Sequence, residues 1–338
     1  MKKLIATIVS LVLITTLLAS CTLFPSENSG GENELDEVKK IRIGYMQGPT
    51  GMGMAKLVAD NGGLDNGNEK YSFTKYADTN MAKGDLAGGK IDIICLPTNE
   101  AANYYTKTDD NIVVLAINCL NSLYLLTSGE TKVSSLSDLE GQTVYTCKNG
   151  TPRIVLEYLI AERGLDIKVS YEIDDKVILT PDNLSTCLVD GSIPNAVIPE
   201  PLVTSSLLSI AKNGNESISY TVDIDLADEW SKISDTPIAM GCIVANADFV
   251  KNNPKTIEAF LGEYKASVDY IGNPDNLDSA SNYVVKTGVM GAAPAAKKAL
   301  SNLGDAIKYI DGSDMKSTLV SFFEAIGVAV PDDEFFYE

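Results

Sequence analysis

The sequence predicts an α/β protein whose body consists of two lobes of similar build that face each other across one cleft. Short apolar runs that fit strands alternate with longer segments carrying a helical apolar stripe, which is the pattern of the α/β class. A strand, a glycine-rich turn and a helix start occur twice, at residues 41–60 and 142–159. Each copy is followed by a second short strand that ends at a proline, Pro97 or Pro199. The two copies therefore predict two lobes.

The first copy has the features of a ligand-binding turn. Ile41, Ile43 and Tyr45 alternate as in a half-buried strand, and turn-forming residues follow at 47–51. Thr50 is the predicted N-cap of the next helix. Such a turn presents backbone N–H groups at the positive end of the helix dipole, so it suits a small polar or anionic ligand. On local pattern alone, a purely structural strand–turn–helix unit is the alternative.

The second copy repeats this arrangement 101 residues later. Thr151 is its predicted N-cap, and Pro152 occupies the first helical position, which suits the fixed φ of proline. The N-cap lies 47 residues before the strand-ending proline in the first copy and 48 residues before it in the second. Ligands of open α/β sheets bind outside the carboxyl ends of the strands, so two such edges facing each other would form one cleft. The matched spacing favours this interpretation over a chance likeness of two ordinary α/β units.

The amino-terminal residues are predicted to be a targeting segment rather than part of the fold. Two lysines precede an apolar run, residues 4–18, that is too short to favour a stable membrane span. The run leads to Cys21 and resembles a bacterial lipoprotein signal, in which that cysteine becomes the lipidated first residue of the mature chain. Residues 1–20 are then a cleaved signal peptide, with an uncleaved anchor or a cytosolic helix as the alternatives. Residues 21–38, rich in Ser, Glu, Asn and Gly, are predicted to be a flexible tether.

The remaining elements divide between the two lobes. Residues 39–126 and 238–338 are predicted to form the first lobe, and residues 127–237 the second. Further strands are predicted from short apolar or alternating runs at 71–76, 91–96, 112–117, 168–173, 193–198 and 238–246. Helices are predicted from apolar residues at helical spacing at 80–87, 99–105, 133–141, 181–188, 202–211, 248–270, 279–287, 294–302 and 314–326. The apolar residues 120–126 are the candidate crossing between the lobes, and the aromatic tail, 331–337, is predicted to dock.

Composition excludes several classes of function. Histidine is absent from all 338 residues, which removes histidine-activated nucleophiles and every zinc site that uses histidine. Neither a metal site nor a cofactor is predicted. The formal net charge of −19 disfavours nucleic acid as a partner, because no cluster of Lys and Arg would meet the phosphates. An anionic ligand would need local N–H groups with Lys148 or Arg153, for which solvated surface charge is the alternative.

The cysteines predict buried thiols rather than a disulfide framework. Besides Cys21 they are Cys95, Cys119, Cys147, Cys187 and Cys242. No two are spaced as C-x-x-C, their number is odd, and four lie in or beside apolar strand-like runs. Whether any of the five pair is left open.

The motifs resemble, in order along the chain, those of substrate-binding lipoproteins of ABC importers. The nearest group is that of the type II binding proteins for nitrate, sulfonates, taurine and thiamine precursors. The matching segments are the lipobox 18–21, the opening strand with Gly44 and its turn, 89–92, 136–144, 198–201, 253–254, 260–266 and 331–335. The chain differs from the group at Pro194–Asn195, where an aspartate is usual, and in the sequence of its first glycine-rich turn.

The resemblance implies a two-lobed type II periplasmic-binding-protein fold with a hinged interlobe cleft. It implies a small polar ligand containing nitrogen or sulfur, a membrane permease with an ATPase as partners, and a monomer held outside the cell membrane by the lipid on Cys21. The candidate ligand-binding residues, at strand ends facing the cleft, are Gln47, Thr50, Gly51, Met52, Thr98, Asn99, Asn118, Asn121, Asn149, Gly150, Thr151 and Glu200. If Glu200 contacts the ligand, the ligand carries a donor or a positive charge; a structural carboxylate at the hinge is the alternative.

Three other functions remain open at this stage. An enzyme in the same two-lobed shell is disfavoured by the missing histidine and by the lack of a metal or nucleophile motif. A ligand-sensing surface lipoprotein that transports nothing has the same sequence features as a transport protein. A structural surface protein would bind no small molecule and would show no change between open and closed forms.

Overall fold

A computed structural model of the chain describes residues 39–64, 66–108, 111–129 and 133–338, which belong to one compact unit. The predicted signal peptide, the tether and Cys21 lie outside the described residues. Within these ranges, no helix is both long enough and apolar enough to span a membrane.

The first sheet consists of five strands. They are β1 (Ile41–Met46), β2 (Tyr71–Tyr76), β3 (Ile93–Pro97), β4 (Ile112–Leu120) and β12 (Ala239–Asn246). Their order is β2-β1-β3-β12-β4. β1 pairs in parallel with β2 and β3, whereas β12 runs antiparallel between β3 and β4.

The second sheet also consists of five strands. They are β5 (Leu123–Ser128), β6 (Thr143–Tyr145), β7 (Lys168–Ser170), β10 (Asn195–Pro199) and β11 (Tyr220–Asp225). Their order is β11-β5-β10-β6-β7, with β5 antiparallel to both of its neighbours. A two-stranded hairpin, β8 (Glu172–Ile173) and β9 (Lys176–Val177), follows β7 in the sequence.

The two sheets share one topology. Their strand orders coincide when β6, β7, β10 and β11 take the places of β1, β2, β3 and β4. In each sheet the antiparallel strand directly follows a connection from the other lobe: β5 comes after β4 of the first lobe, and β12 comes after β11 of the second. β3 and β10 begin 102 residues apart, at Ile93 and Asn195, the same spacing as the two predicted strand-ending prolines. The glycines that cap the first helices, Gly48 and Gly150, are also 102 residues apart, so the predicted offset of 101 is wrong by one at that turn.

Helices lie between and beside the strands. They are α1 (Pro49–Met52), α2 (Ala55–Asp60), α3 (Thr79–Ala87), α4 (Thr98–Thr108), α5 (Thr151–Arg163), α6 (Pro181–Val189), α7 (Leu202–Asn213), α8 (Leu226–Trp230), α9 (Ala247–Asn252), α10 (Pro254–Gly272), α11 (Leu277–Lys286), α12 (Ala293–Leu303) and α13 (Gly312–Ala325). Side chains of the first sheet belong to two buried clusters. Tyr264 of α10 lies in the first of them. Phe322 of α13 lies in the second, which continues into the second lobe. Phe335 and Phe336 are buried in the second cluster, so the predicted docking of the tail is confirmed.

Glycine, not threonine, caps the helix in both copies of the repeated unit. The N-caps are Gly48, with φ of 147°, and Gly150, with φ of 100°. The predicted N-caps Thr50 and Thr151 are wrong, because each of these residues already lies inside its helix. The positive φ lets the chain turn sharply from the strand into the helix, a conformation that L side chains rarely adopt.

The chain first crosses between the sheets at Asn121 and Ser122. The predicted lobe boundary after residue 126 falls inside β5, which is hydrogen-bonded into the second sheet. The Asn121 N–H donates to the carbonyl of Ile238 (3.0 Å), and the Asn121 Oδ1 accepts from the N–H of Ile238 (2.9 Å). Ile238 directly precedes β12, so the two connections between the lobes are bonded to each other.

Several features of the fold differ from the predicted elements. β11 and α8 were not predicted, although α8 carries the buried Trp230. The long helix predicted at residues 248–270 is two helices, α9 and α10, because Asn253 ends the first and Pro254 begins the second. Proline at the start of a helix is tolerated where its missing N–H has no partner to lose.

Candidate functional site

A cleft of about 560 Å³ opens between the two lobes at the carboxyl ends of their parallel strands. Its volume lies within the range of about 300–1,000 Å³ that is common for small-molecule sites. Five of the predicted site residues line it: Gln47, Thr50, Asn149, Gly150 and Thr151. Both glycine-capped turns therefore face the same space.

The turn of the first lobe rests on a tightly packed base. The carbonyl of Thr50 accepts from the Nδ2 of Asn118 (3.2 Å), which also donates to the Tyr264 hydroxyl (2.8 Å). A Cβ at Gly241 of β12 would lie 2.7 Å from the Asn118 Oδ1 and would also overlap the Thr50 side chain. Asn118 therefore supports the turn from below and is not among the lining residues of the cleft.

Six other predicted site residues are also absent from the cleft lining, and four of them lie in the structure that supports its walls. Gly51 and Met52 are buried behind the turn, with Met52 packed into the core of the first lobe. The Thr98 hydroxyl donates to the carbonyl of Ala239 and so joins α4 to β12. Asn121 holds the crossing between the sheets. These residues support the cleft walls rather than line them.

One hydrogen bond joins the lobes at the base of the cleft. The Thr151 hydroxyl, at the start of α5, donates to the Oδ1 of Asn99 on α4 (2.8 Å), and both side chains are buried. Asn99 itself lines a smaller neighbouring pocket rather than the cleft. The two residues lie close together, as predicted. Their polar atoms, which were predicted to contact a ligand, are hydrogen-bonded to each other.

Glu200 is not a lining residue of the cleft, although Pro199 and Leu202 are, and its side chain lies in the contact between the lobes. Its carboxylate accepts from the N–H (3.1 Å) and hydroxyl (2.8 Å) of Thr204 and from the Nδ2 of Asn302 on α12 (2.6 Å). Burial raises the pKa of Glu200, against these hydrogen bonds, which lower it. The geometry favours the alternative of a structural carboxylate at the hinge over contact with a ligand.

The sequence analysis missed the side chains that follow β2 in the first lobe and β9 in the second. Those of the first lobe are Asp78, Thr79 and Asn80, and those of the second are Leu179, Thr180, Asp182 and Asn183. Asp78 caps α3 by accepting from the N–H groups of Asn80 (2.9 Å) and Met81 (3.0 Å). The rule that ligands meet the carboxyl ends of parallel strands, applied to the strand ending at Tyr76, would have identified Asp78.

A smaller pocket of about 350 Å³ adjoins the cleft between α4 and the start of α5. It shares Glu100, Asn149 and Gly150 with the cleft and also contains Lys83, Lys107 and Arg153. Lys83 pairs with Glu100 (2.8 Å), and Arg153 pairs with Glu157 (3.3 Å). Lys148, the other cation proposed for an anion, lies near the ring of Tyr171 and is not a lining residue of either space.

Cys147 is the cysteine that lines the cleft. The cysteines of the described residues are all unpaired, and four of the five are buried. Burial, with a smaller effect of Asp182, raises the pKa of Cys147 to about 12, so its thiol is protonated at neutral pH. In the described part of the chain no three Cys, Asp or Glu side chains are grouped to hold a metal ion.

Comparison with known proteins identifies the fold. Residues 112–276 match the family model described as NMT1/THI5 like. No curated protein matches the chain. The structure of an ABC transporter protein from Parabacteroides distasonis is similar over 89% of this chain and 99% of that chain, with 20% identity and a TM-score of 0.64.

Two further solved structures are similar to the chain. The periplasmic aliphatic sulphonate binding protein SsuA from Escherichia coli is 18% identical, with a TM-score of 0.64 over 89% of this chain and 93% of that one. The periplasmic nitrate-binding protein NrtA from Synechocystis PCC 6803 is 14% identical, with a TM-score of 0.63 over 86% of this chain and 81% of that one. The predicted two-lobed α/β fold and the resemblance to this group of binding proteins are confirmed.

Proposed function

We propose that this chain, whose fold is that of the periplasmic binding proteins of ABC importers, captures a small polar molecule between its lobes and delivers it to a membrane permease. The observation that supports the proposal most directly is the cleft itself. Its lining comes from both lobes, and the two glycine-capped turns present helix starts to one space. A ligand in that space would contact both lobes at once.

The two connections between the lobes suit a hinge. Because Asn121 and Ile238 are bonded to each other, rotation of one connection carries the other with it. A ligand that contacts both lobes binds the closed form more strongly than the open form and so shifts the equilibrium toward closure. The permease would then distinguish loaded from empty protein by the distance between the lobes.

Ligand binding is tested by thermal unfolding of the purified protein with a panel of small solutes. The panel contains taurine, alkanesulfonates, nitrate, aminopyrimidine and thiamine precursors, and small amino compounds. A ligand at 100 times its Kd should add about 2.7 kcal/mol to the free energy of unfolding, which corresponds to roughly 5–10 °C in Tm for a protein of this size. A decrease in the radius of gyration by small-angle X-ray scattering should accompany the shift. Absence of both effects, with no small molecule released when the purified protein is unfolded, would contradict a binding function.

Delivery to a permease needs a test in the cell. Deletion of the gene should abolish uptake of the labelled ligand, and a variant that binds ligand normally should restore it. Normal uptake in the deletion strain would instead favour a ligand sensor.

Membrane attachment through Cys21 is part of the same proposal. A lipid on that residue, followed by the tether of residues 21–38, would keep the lobes outside the cell yet close to the permease. Cells fed a labelled fatty acid should incorporate it into the wild-type chain and not into a Cys21→Ala variant. Label in the variant would place the lipid elsewhere.

A further inference from the structure

The charges that line the cleft are of one sign. Among the described lining residues, Asp78, Glu100 and Asp182 are acidic, and none is Lys or Arg. The Glu100 carboxylate is paired with Lys83, and both side chains are largely buried. Asp78 of the first lobe and Asp182 of the second form no ion pair with any described residue. One carboxylate on each side of the cleft is thus without a cationic partner in the described structure.

Neither of these two carboxylates has both oxygens hydrogen-bonded within the described structure. The Asp78 Oδ1 caps α3, whereas no hydrogen bond joins its Oδ2 to the described residues. Asp182 lies in the first turn of α6, where Thr180 and Asn183 already cap the helix by reciprocal hydrogen bonds (3.3 Å each). The Asp182 side chain is exposed and makes no hydrogen bond of its own within the described structure. Both are therefore available to a ligand.

We infer that the ligand carries a positively charged nitrogen group, an ammonium or an amidinium, which lies between Asp78 and Asp182. This inference rests on the proposed function. Closure of the cleft moves two like charges toward each other and away from water, where their repulsion strengthens. A cation between them turns this repulsion into attraction and so makes closure favourable, whereas an anion would add a third like charge.

The neutral polar groups around these carboxylates complete the site. Gln47, Asn149 and Thr180 supply donors and acceptors that can bind the remainder of the ligand. The three cations nearby lie in the adjoining pocket, and two of them, Lys83 and Arg153, are already paired with carboxylates. The charge pattern of this cleft therefore opposes a plain anion such as nitrate or an alkanesulfonate.

The test compares solutes that differ only in the charged nitrogen. The pairs are choline with 3,3-dimethyl-1-butanol, 1,4-diaminobutane with 1,4-butanediol, and taurine with isethionate, together with nitrate and ethanesulfonate. Each solute is titrated calorimetrically into the wild-type protein and into Asp78→Asn, Asp182→Asn and Asp190→Asn variants. Asn retains the capping function at position 78, and thermal unfolding verifies that each variant folds. Asp190 is the matched control, because it lies at the other end of α6 and is absent from the cleft lining.

In at least one pair, the member with the charged nitrogen should bind at least about tenfold more tightly than its neutral partner. Asp78→Asn and Asp182→Asn should each remove most of that difference, and Asp190→Asn should leave it unchanged. Tight binding of nitrate or ethanesulfonate, or amine binding that neither cleft variant weakens, would overturn the inference while leaving the binding function intact. Failure of every solute to bind, with no small molecule released on unfolding, would overturn the proposed function and this inference together.

Discussion

Gly150 lets the chain pass from β6 into α5 with a backbone conformation that L residues rarely adopt. Its φ is 100° and its ψ 174°, and the nearest atom to an added Cβ is the Pro152 Cδ at 3.6 Å. A Cβ at this position would therefore meet no steric clash, and only the positive φ of the backbone opposes a substitution. Gly48 occupies the corresponding place in the first lobe with φ of 147°.

We expect Gly150→Ala to lower the free energy of unfolding by about 1–3 kcal/mol, because alanine is strained at this φ and ψ. It should also weaken ligand binding, since Asn149 and Thr151 flank the position. The measurements are chemical denaturation and calorimetric titration. Gly84→Ala is the matched control: Gly84 lies inside α3 with nothing within 4 Å of an added Cβ, so alanine should stabilise the protein by roughly 0.5–1 kcal/mol. Equal effects of the two substitutions would contradict the argument.

The pH dependence of stability should contain a contribution from Glu200. Its pKa in the folded protein is raised above the ordinary 4.5 because it is buried. A carboxyl group with a raised pKa binds more protons in the folded state, so its contribution to stability is present below pH 4.5 and is lost as the pH rises through the folded pKa. Lys298 is the cation that acts on the group, and Asn302 and Thr204 are its hydrogen-bond partners.

Glu200→Gln should remove this contribution. At low pH the protonated Glu200 and the glutamine are both neutral, so the two proteins should have similar Tm values. As the pH rises above about 4.5, the Tm of the variant should increase relative to that of the wild type. The measurement is thermal unfolding from pH 4 to pH 8, and parallel curves for the two proteins would refute the assignment.

At the residue scale, the sequence predicts positions along the chain better than the direction of side chains. Gln47 and Asn149 were placed in the cleft correctly because they lie in the turns after β1 and β6, whose carboxyl ends face it. Glu200 also follows such a strand, β10, but its side chain turns back onto Thr204 in the next helix. No local pattern specifies that turn, whereas the position of Asp78, just after the carboxyl end of β2, can be read from the sequence.

At the element scale, the starts of α4 and α5 meet through a single side-chain bond. The Thr151 hydroxyl and the Asn99 Oδ1 are both buried in this arrangement of the lobes. Separation of the lobes would expose both groups to water, which would then satisfy them. The bond therefore favours this arrangement of the lobes over a separated one.

We expect Thr151→Val to weaken ligand binding by roughly 5- to 150-fold, because it leaves the Asn99 Oδ1 buried without a donor at a cost of about 1–3 kcal/mol. Thr151→Ser keeps the hydroxyl and should bind nearly as well as the wild type. Calorimetric titration of both variants measures the effect. Equal affinities for the valine and serine variants would show that the bond does not contribute to closure.

The predicted elements are most accurate where a segment is buried on both faces or lies in a long amphipathic helix. β3, β4 and α13 were predicted within a few residues because their apolar patterns are continuous. β11 was missed because it is an edge strand, half exposed, in which Thr221 and Asp223 interrupt the apolar run. The break before α10 was missed because Pro254 is compatible with the first turn of a helix.

At the scale of the whole molecule, the five thiols of the described residues report on different motions. Cys187 is half-buried, Cys147 is buried at the cleft, and Cys95, Cys119 and Cys242 are buried in the cores around the first sheet and its crossing. Reaction of each thiol with a reagent in solution needs a different part of the protein to open.

We expect an alkylating reagent at neutral pH to label Cys187 first, Cys147 more slowly, and the other three only on unfolding. Ligand should protect Cys147, and Thr151→Val should accelerate its labelling, because closure covers the cleft. Site-resolved mass spectrometry of a Cys21→Ser protein measures the five rates. Labelling of Cys147 at a rate that neither ligand nor the variant changes would contradict control by lobe closure.

The position of β12 determines the order in which the two lobes are completed as the chain emerges amino terminus first. The second lobe is continuous from β5 to α8, so all five strands of its sheet are present once residue 225 has emerged. The first sheet still lacks its internal strand at that moment, because β12 inserts between β3 and β4. Its β2-β1-β3 and β4 portions cannot be joined until residue 246 has emerged. The lobe that begins first is thus finished last, and until then its incomplete sheet edge is open to pairing with other chains.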